Sequence, residues 1–292
     1  MNAAKSILAP AKINLYLHIT GRRDDGLHQL DSLIMFADIA DRIEIRPSEQ
    51  FSFSIEGAYG SFFQKPELDH SKNSKNIIVK AARELAYLTQ NSLDFSIRLT
   101  KNLPLAAGIG GGSSDAAATI RLLLAWWNIT PQEIPGFDSF LVSLGADVPA
   151  CMACQPVRMS GIGEILSPID DSKEIHALLV NPGKPCPTGT VFSRFQGGFG
   201  SPASVPFSSD IEYIKKQRND LTSAAIKTVP EITDILGIIS AQKGCLLSRM
   251  SGSGATCFGL FGDKIQTHIA AKQIARQQPH WWVRSCILNK VV

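Results

Sequence analysis

The sequence predicts an α+β chain in two domains, residues 1–155 and 156–292. Three observations predict it. The chain has 292 residues, enough for two ordinary domains. Strand-like alternation and helical periodicity both occur, but without the regular strand–helix beat of a doubly wound sheet. Each half also carries a glycine-rich turn, PLAAGIGGGSSDAAA at Pro104–Ala118 and SGSGA at Ser251–Ala255.

Taken in order, Ala11–Ile19 alternates and is rich in β formers, so it reads as a strand. Leu30–Phe36, Arg42–Ile45 and Phe51–Ile55 read the same way. Residues 56–74, rich in Gly, Pro, Asn and Ser, read as a loop. Asn76–Thr89 places Ile77, Ile78, Ala81, Leu85 and Leu88 at helical spacing. Phe95–Lys101 alternates as a strand leading into the glycine loop, and helices are expected over Ser113–Trp127 and Pro131–Leu144. In the second half, His176–Asn181 reads as a strand and 196–209 as a loop. Helices follow at Leu221–Thr228 and Glu231–Ala241, then strands at Leu246–Met250 and Thr256–Phe261 around the second glycine turn. Ile265–Gln277 reads as a helix and Trp282–Leu288 as the last strand.

Composition narrows the function. Hydrophobic residues make up 44% and charged residues 19%, and the net charge of +3 is spread along the chain. That balance gives no basic tail for nucleic acid and no polybasic patch for a membrane. Lys5, Lys12 and Asn14 interrupt the N-terminal apolar run, which argues against a signal peptide, and no window is long and apolar enough to span a bilayer. The expected location is the cytosol. The sequence carries no signal of oligomeric state. Of six cysteines only Cys151 and Cys154 are close; without a second pair or a nearby histidine they read as buried structural thiols.

The segment Pro104–Ala118 carries the chemistry. Glycines allow positive φ and close backbone approach, Ser-Ser-Asp suits a helix start, and alanines propagate the helix. A loop of N–H groups feeding a helix N-terminus holds an anion, here a phosphate. A P-loop would need a lysine after its glycines, and none follows. A dinucleotide fold would set Gly108 and Gly110 about 20 residues before a ribose-binding acid. Trp126-Trp127-Asn128-Ile129 stands there instead.

PLAAGIGGGSSDAAA resembles the phosphate loop of the GHMP kinases, the small-molecule kinases that include galactose, homoserine and mevalonate kinases. APAKINLYLHITGRRDDGLHQLDSLIMFADIAD near the N-terminus and MSGSGATCFGLF late in the chain fit the same family, in its order. LGADVPAC, NPGKPCPTGTVF and RNDLT extend the resemblance over nearly the whole chain. It implies a two-domain GHMP-kinase-like fold. It also implies transfer of the ATP γ-phosphate to the 2-hydroxyl of a methylerythritol unit carrying a cytidine diphosphate handle, in the non-mevalonate route to isoprenoid precursors. A sibling kinase such as a homoserine kinase, or a catalytically silent sugar- or nucleotide-binding protein, is the alternative; retention of both Lys12 and Asp147 argues against silence.

The resemblance also implies residue roles. Asp147 is the catalytic base and Lys12 its cationic partner, while Asn14 hydrogen-bonds the acceptor diol or the aspartate. The phosphates of ATP lie on Pro104, Leu105, Ala106, Ala107, Gly108, Ile109, Gly110, Gly111, Gly112, Ser113 and Ser114. Ser113 and Ser114 cap the helix, bind phosphate, or both. Asp115 reads as a helix-start residue, with Mg²⁺ held mainly by phosphates and water. His28 hydrogen-bonds the cytosine and Phe192 stacks on it. The family normally has a tyrosine before this histidine; here it is Leu27, which implies an aromatic sandwich with only one aromatic face. No chemical role is read for Asn219 or Asp220.

Overall fold

The computed structural model describes residues 3–63, 71, 73–169, 173–203 and 208–289. In chain order the elements are β1 (Lys5–Arg22), β2 (His28–Pro47), β3 (Ser52–Glu56), α1 (Ile77–Thr89), β4 (Phe95–Thr100), α2 (Gly111–Trp127), α3 (Phe137–Leu144), α4 (Val148–Ala153), β5 (Val157–Gly161), β6 (Ile165–Pro168), β7 (Ile175–Asn181), α5 (Thr188–Ser193), α6 (Ile211–Lys215), α7 (Thr222–Ile226), α8 (Glu231–Ser240), β8 (Cys245–Met250), β9 (Cys257–Phe261), α9 (Lys264–Gln277) and β10 (Trp282–Leu288). Short 3₁₀ turns lie at Gly60–Phe62 and Pro131–Glu133. The expected loops 56–74 and 196–209 fall partly outside the described residues.

The chain forms two compact units. One comprises Met1–Ala11, Ile39–Leu103 and Gly110–Cys154; the other comprises Lys12–Asp38, Pro104–Ile109 and Gln155–Val292. These interleave, unlike the expected division into 1–155 and 156–292, because β1 and β2 are long enough to contribute residues to both units. Two candidate strands, Leu30–Phe36 and Arg42–Ile45, form the single 20-residue β2. The residues between them stay extended because partners flank them. Leu30–Ile34 pairs with β5, Ala37 faces Leu288, and Arg42–Pro47 pairs with β4.

In the first unit β2 and β4 are antiparallel, and β3 lies parallel to β4. Parallel neighbours need a long crossover, and α1 supplies it. The side chain of Asn76 accepts a 2.9 Å bond from the Ile78 N–H and so caps α1. α2 packs on α1 and α4 and is buried on most of its surface. Ala116, Ala117 and Ala118, all fully buried, suit such close packing. In the second unit β10, β7, β9 and β8 form an antiparallel array against which α8 and α9 pack. The strand β7 is buried at every position from Ala177 to Asn181, so both of its faces are core.

The elements absent from the sequence reading are short. α4, α5 and α6 have 6, 6 and 5 residues, too few to display a helical period, and β5 and β6 have 5 and 4. Pro149, which reads as a turn residue, sits in the first turn of α4, where its missing N–H costs no hydrogen bond. Among the described residues no helix is long and apolar enough to cross a membrane. The six cysteines form no disulfide. Cys151 is buried as expected, whereas Cys154, expected to be buried, is half-buried; Cys186, Cys257 and Cys286 are buried and Cys245 half-buried. Asn76→Ala removes the α1 cap and is expected to cost about 1 kcal/mol of stability, read as a lower urea midpoint with an unchanged slope.

Candidate active site

Four consecutive carbonyl oxygens of the glycine loop are held by the second unit. Ala106 O accepts from Cys186 N–H at 3.1 Å, Ala107 O from Thr256 N–H at 3.0 Å, and Ile109 O from Lys12 N–H at 2.9 Å. Gly108 O accepts from the Ser251 hydroxyl at 3.0 Å. The N–H groups of Ala106 through Ile109 donate to no protein acceptor among the described residues. A backbone tied by its carbonyls and open at its amides is the arrangement that binds an anion.

The glycine at 108 is obligatory. Its φ is +72°, and a methyl group there would stand 2.6 Å from Ser251 O and 2.7 Å from both Gly254 N and Gly254 O. The second glycine turn packs directly on the loop. Gly252, at φ +53°, is held the same way, since its methyl would meet Gly108 O at 2.7 Å and Asn14 Oδ1 at 3.1 Å. Asn219 organises this turn. Its amide donates to Met250 O and Gly252 O at 2.8 Å each, and its Oδ1 accepts from Leu221 N–H at 3.0 Å. Asp220 accepts from Ile19 N–H at 2.8 Å and from Arg218 Nε at 2.6 Å. The two residues without a sequence-derived role are therefore braces between β1 and the turn.

The rest of the loop belongs to the first unit. α2 begins at Gly111, two residues before the expected start, with Gly110 at φ +62° as its cap. Neither serine caps it. Ser114 Oγ donates to Pro10 O at 2.7 Å and is buried, whereas Ser113 is half-exposed. The first N–H to bond within the helix is that of Ser114, to Gly110 O at 2.8 Å. Those of Gly111, Gly112 and Ser113 precede it and carry the positive end of the helix dipole. In the same unit a methyl group at Gly145 would lie 3.9 Å from Ser113 Oγ, so the turn that carries Asp147 borders the first turn of α2. Asp147 is half-buried at the N-cap position of α4, and its carboxylate does not cap that helix.

Asp115 departs from its expected role. With α2 starting at Gly111 it lies past the first turn rather than at the helix start, where it is buried and accepts from Lys101 Nζ at 2.7 Å. Lys101 also donates to Asp41 at 2.5 Å, and Asp41 accepts from Asn102 N–H at 2.5 Å and Leu103 N–H at 2.9 Å. The signal for this cluster lies in the strand alternation. Phe95, Ile97, Leu99 and Lys101 share one buried face, as do Asp41, Ile43 and Ile45 on β2. Ile43 faces Leu99 and Ile45 faces Ile97, a register that continues to Asp41 and Lys101. A charged group on a core face needs a partner.

The predicted acceptor residues lie in the second unit. Lys12 is buried. Asn14 is fully buried, donates from Nδ2 to Ser32 Oγ at 2.8 Å, and keeps Oδ1 without a hydrogen-bond partner among the described residues. His28 stands 5.4 Å from Phe192, centroid to centroid, with planes tilted by 35°. A second aromatic ring, Phe195, meets His28 edge-on at 5.7 Å. It lies three residues past Phe192 in a segment with no clear periodicity. Leu27 is 49% exposed. Burial, and then the charge of Arg22, hold His28 below its ordinary pKa, so its imidazole is neutral at pH 7.

Comparison with known proteins gives the family. The GHMP kinases N terminal domain matches residues 76–154, and the GHMP kinases C terminal domain matches 209–280. The chain is 44% identical to a 4-diphosphocytidyl-2-C-methyl-D-erythritol kinase of Paramagnetospirillum magneticum, over 95% of this chain and 96% of that one. It is 40% identical to the kinase of the same name from Rhodospirillum rubrum, over 96% and 92%. Among solved structures, a 4-(cytidine 5'-diphospho)-2C-methyl-D-erythritol kinase superposes with TM-score 0.79 at 29% identity, covering 98% of this chain and all of that one. A homoserine kinase from Cytophaga hutchinsonii gives 0.73 at 14% identity, covering 98% and 95%, which shows the fold alone. The fold and loop define a GHMP-type small-molecule kinase, with ATP as phosphoryl donor. The chain belongs, within that superfamily, to the 4-diphosphocytidyl-2-C-methyl-D-erythritol kinase family.

Gly108→Ala is expected to abolish ATP-dependent turnover and to weaken nucleotide binding at least tenfold by titration calorimetry, because the methyl group would push the loop off the Ser251–Gly254 turn.

Proposed function

We propose that the chain transfers the γ-phosphate of ATP to the 2-hydroxyl of 4-diphosphocytidyl-2-C-methyl-D-erythritol, in the non-mevalonate route to isoprenoid precursors. The observation that carries the reading is the match along almost the whole chain to kinases of that name. The loop geometry supports the donor side, with tied carbonyls and open amides running into the start of α2. The proposed partner is this small molecule, and the proposed setting the cytosol.

In this reading Asp147 receives the proton of the attacking hydroxyl, and Lys12 favours the ionised carboxylate and orients the acceptor. Phosphoryl transfer depends mainly on positioning and charge stabilisation. Amides of the loop from Pro104 to Ser114 hold the phosphates as negative charge moves toward the leaving oxygen. The unpartnered Oδ1 of Asn14 suits it to accept a hydrogen bond from an acceptor hydroxyl. Neutral His28 serves as a hydrogen-bonding group for the cytosine edge, with Phe192 against its face and Leu27 giving apolar cover. Mg²⁺ offsets phosphate charge when it accompanies ATP. Among the described residues no cluster of three or more His, Cys, Asp or Glu is able to hold a metal, and Asp115 is committed to Lys101. The proposed holders of the ion are the phosphates and water.

A coupled ADP-release assay with the cytidine diphosphate substrate, run beside homoserine and mevalonate, tests the assignment. Turnover with the cytidine substrate is expected, and turnover with homoserine alone would overturn it. Asp147→Asn is expected to lower kcat at least a thousandfold while ATP still binds; a near-normal rate would remove Asp147 as the base. Leu27→Tyr is expected to lower KM for the cytidine substrate severalfold with KM for ATP unchanged.

A further inference from the structure

The start of α2 sits on a buried charge cluster that the transfer reaction does not itself use. Lys101 is 2% exposed, Asp41 0% and Asp115 3%. A methyl group added at Gly111 would stand 3.2 Å from Lys101 Nζ, so the ammonium lies directly against the first residue of the helix. Asp41 holds the N–H groups of Asn102 and Leu103, the last residues before the loop, with the same carboxylate that binds Lys101. One cluster therefore fixes both the chain entering the loop and the helix leaving it.

We propose that Lys101 is a positioning residue of the phosphate site, clamped by Asp41 and Asp115 beneath Gly111, and that a single proton on this cluster sets how well the site accepts the negative charge of a nucleotide. The inference rests on the reading of the loop as an ATP site.

The charge count requires the proton. One ammonium faces two carboxylates, so the cluster carries a net negative charge when both are ionised. A buried negative charge at a helix N-terminus offsets the dipole that attracts phosphate. Protonation of Asp115 makes the cluster neutral. The charged groups acting on Asp115 are Lys101 at the end of β4 and Asp41 on β2. Burial raises its pKa, Lys101 opposes the rise, and Asp41 adds to it, leaving the carboxyl pushed up to about 8. Lys101 keeps its charge: burial works against the ammonium, but Asp115 and Asp41 outweigh it. Asp115 Oδ1 has no hydrogen-bond partner among the described residues. That oxygen is available to carry the proton, while Oδ2 keeps the lysine.

The sign follows directly. Below about pH 8 the cluster is neutral. As pH rises through that value Asp115 loses its proton, the cluster becomes negative, and phosphate binding weakens.

The test is KM for ATP between pH 7 and 9.5, with the cytidine substrate saturating, in the native enzyme and in Asp115→Asn. Native KM for ATP is expected to rise at least threefold across the range while KM for the acceptor stays level. Asp115→Asn, which keeps the shape and removes the titration, is expected to flatten the profile. A level native profile, or a rise that survives in Asp115→Asn, would overturn the proposal. Lys101→Met is expected to raise KM for ATP at least tenfold with acceptor KM unchanged, and an equal change in both constants would also overturn it. Should Lys101→Met not fold, the Asp115→Asn profile decides alone. Failure of the native enzyme to use ATP at all would instead overturn the kinase reading, so the two failures are distinct.

Discussion

The structure depends on holding a run of backbone carbonyls. An anion-binding loop must turn its N–H groups toward the ligand, and a peptide unit can do so only if its carbonyl is satisfied elsewhere. From Ala106 to Ile109 every carbonyl has such a partner, drawn from three separate stretches of chain: Lys12, Cys186, and the turn that holds Ser251 and Thr256. The requirement reaches outward from there. Ser251 reaches Gly108 O only because the turn behind it is fixed, and Asn219 fixes it by taking Met250 O and Gly252 O. The glycines at 108 and 252 are needed because the two turns approach each other more closely than a Cβ allows. A side chain without chemistry of its own is thereby bound to the geometry of the phosphate site.

The second half of the loop solves a different problem. A helix start needs little holding of its carbonyls but gains from the right charge beneath it. Glycine at 111 leaves room for an ammonium under the first turn, and Lys101 fills that room. Removing a lysine from water is costly unless it is paired. The pairing here uses two carboxylates, one from β2 and one from α2 itself. Asp41 also binds the N–H groups of Asn102 and Leu103 and so stops the strand where the loop begins. Structure and electrostatics coincide in one residue.

Much of this was legible in the sequence. The long helices and, apart from β5 and β6, the strands from Phe95 onward were read from the sequence, and the two glycine turns mark the loop and the turn packed on it. Two kinds of feature were not legible. Short elements such as α4 and α5 have no complete period, and β2 reads as two strands because its continuity comes from neighbours that pair along its length. Asp115 was read as a helix-start residue because Ser-Ser-Asp suits a helix start, whereas the glycines before it already belong to α2. Only the burial of its helix face turns it toward Lys101. Asn219 gave no signal because its partners are main-chain carbonyls 31 and 33 residues away, which no local pattern encodes.

On the function proposed above, the nucleobase end of the site tolerates change more readily than the glycine loop. At Gly108 one methyl group would meet three backbone atoms within 2.7 Å, and backbone cannot yield without displacing everything bonded to it. Leu27 is half in solvent, so on the proposed function a leucine in place of a tyrosine there costs mainly contact area. His28 is better supported. Phe192 and Phe195 stand against its ring, and burial together with the charge of Arg22 holds the imidazole below its ordinary pKa. On the function proposed above, the donor side is specified by main-chain geometry, where substitution is excluded sterically, and the acceptor side by side chains, whose losses are graded.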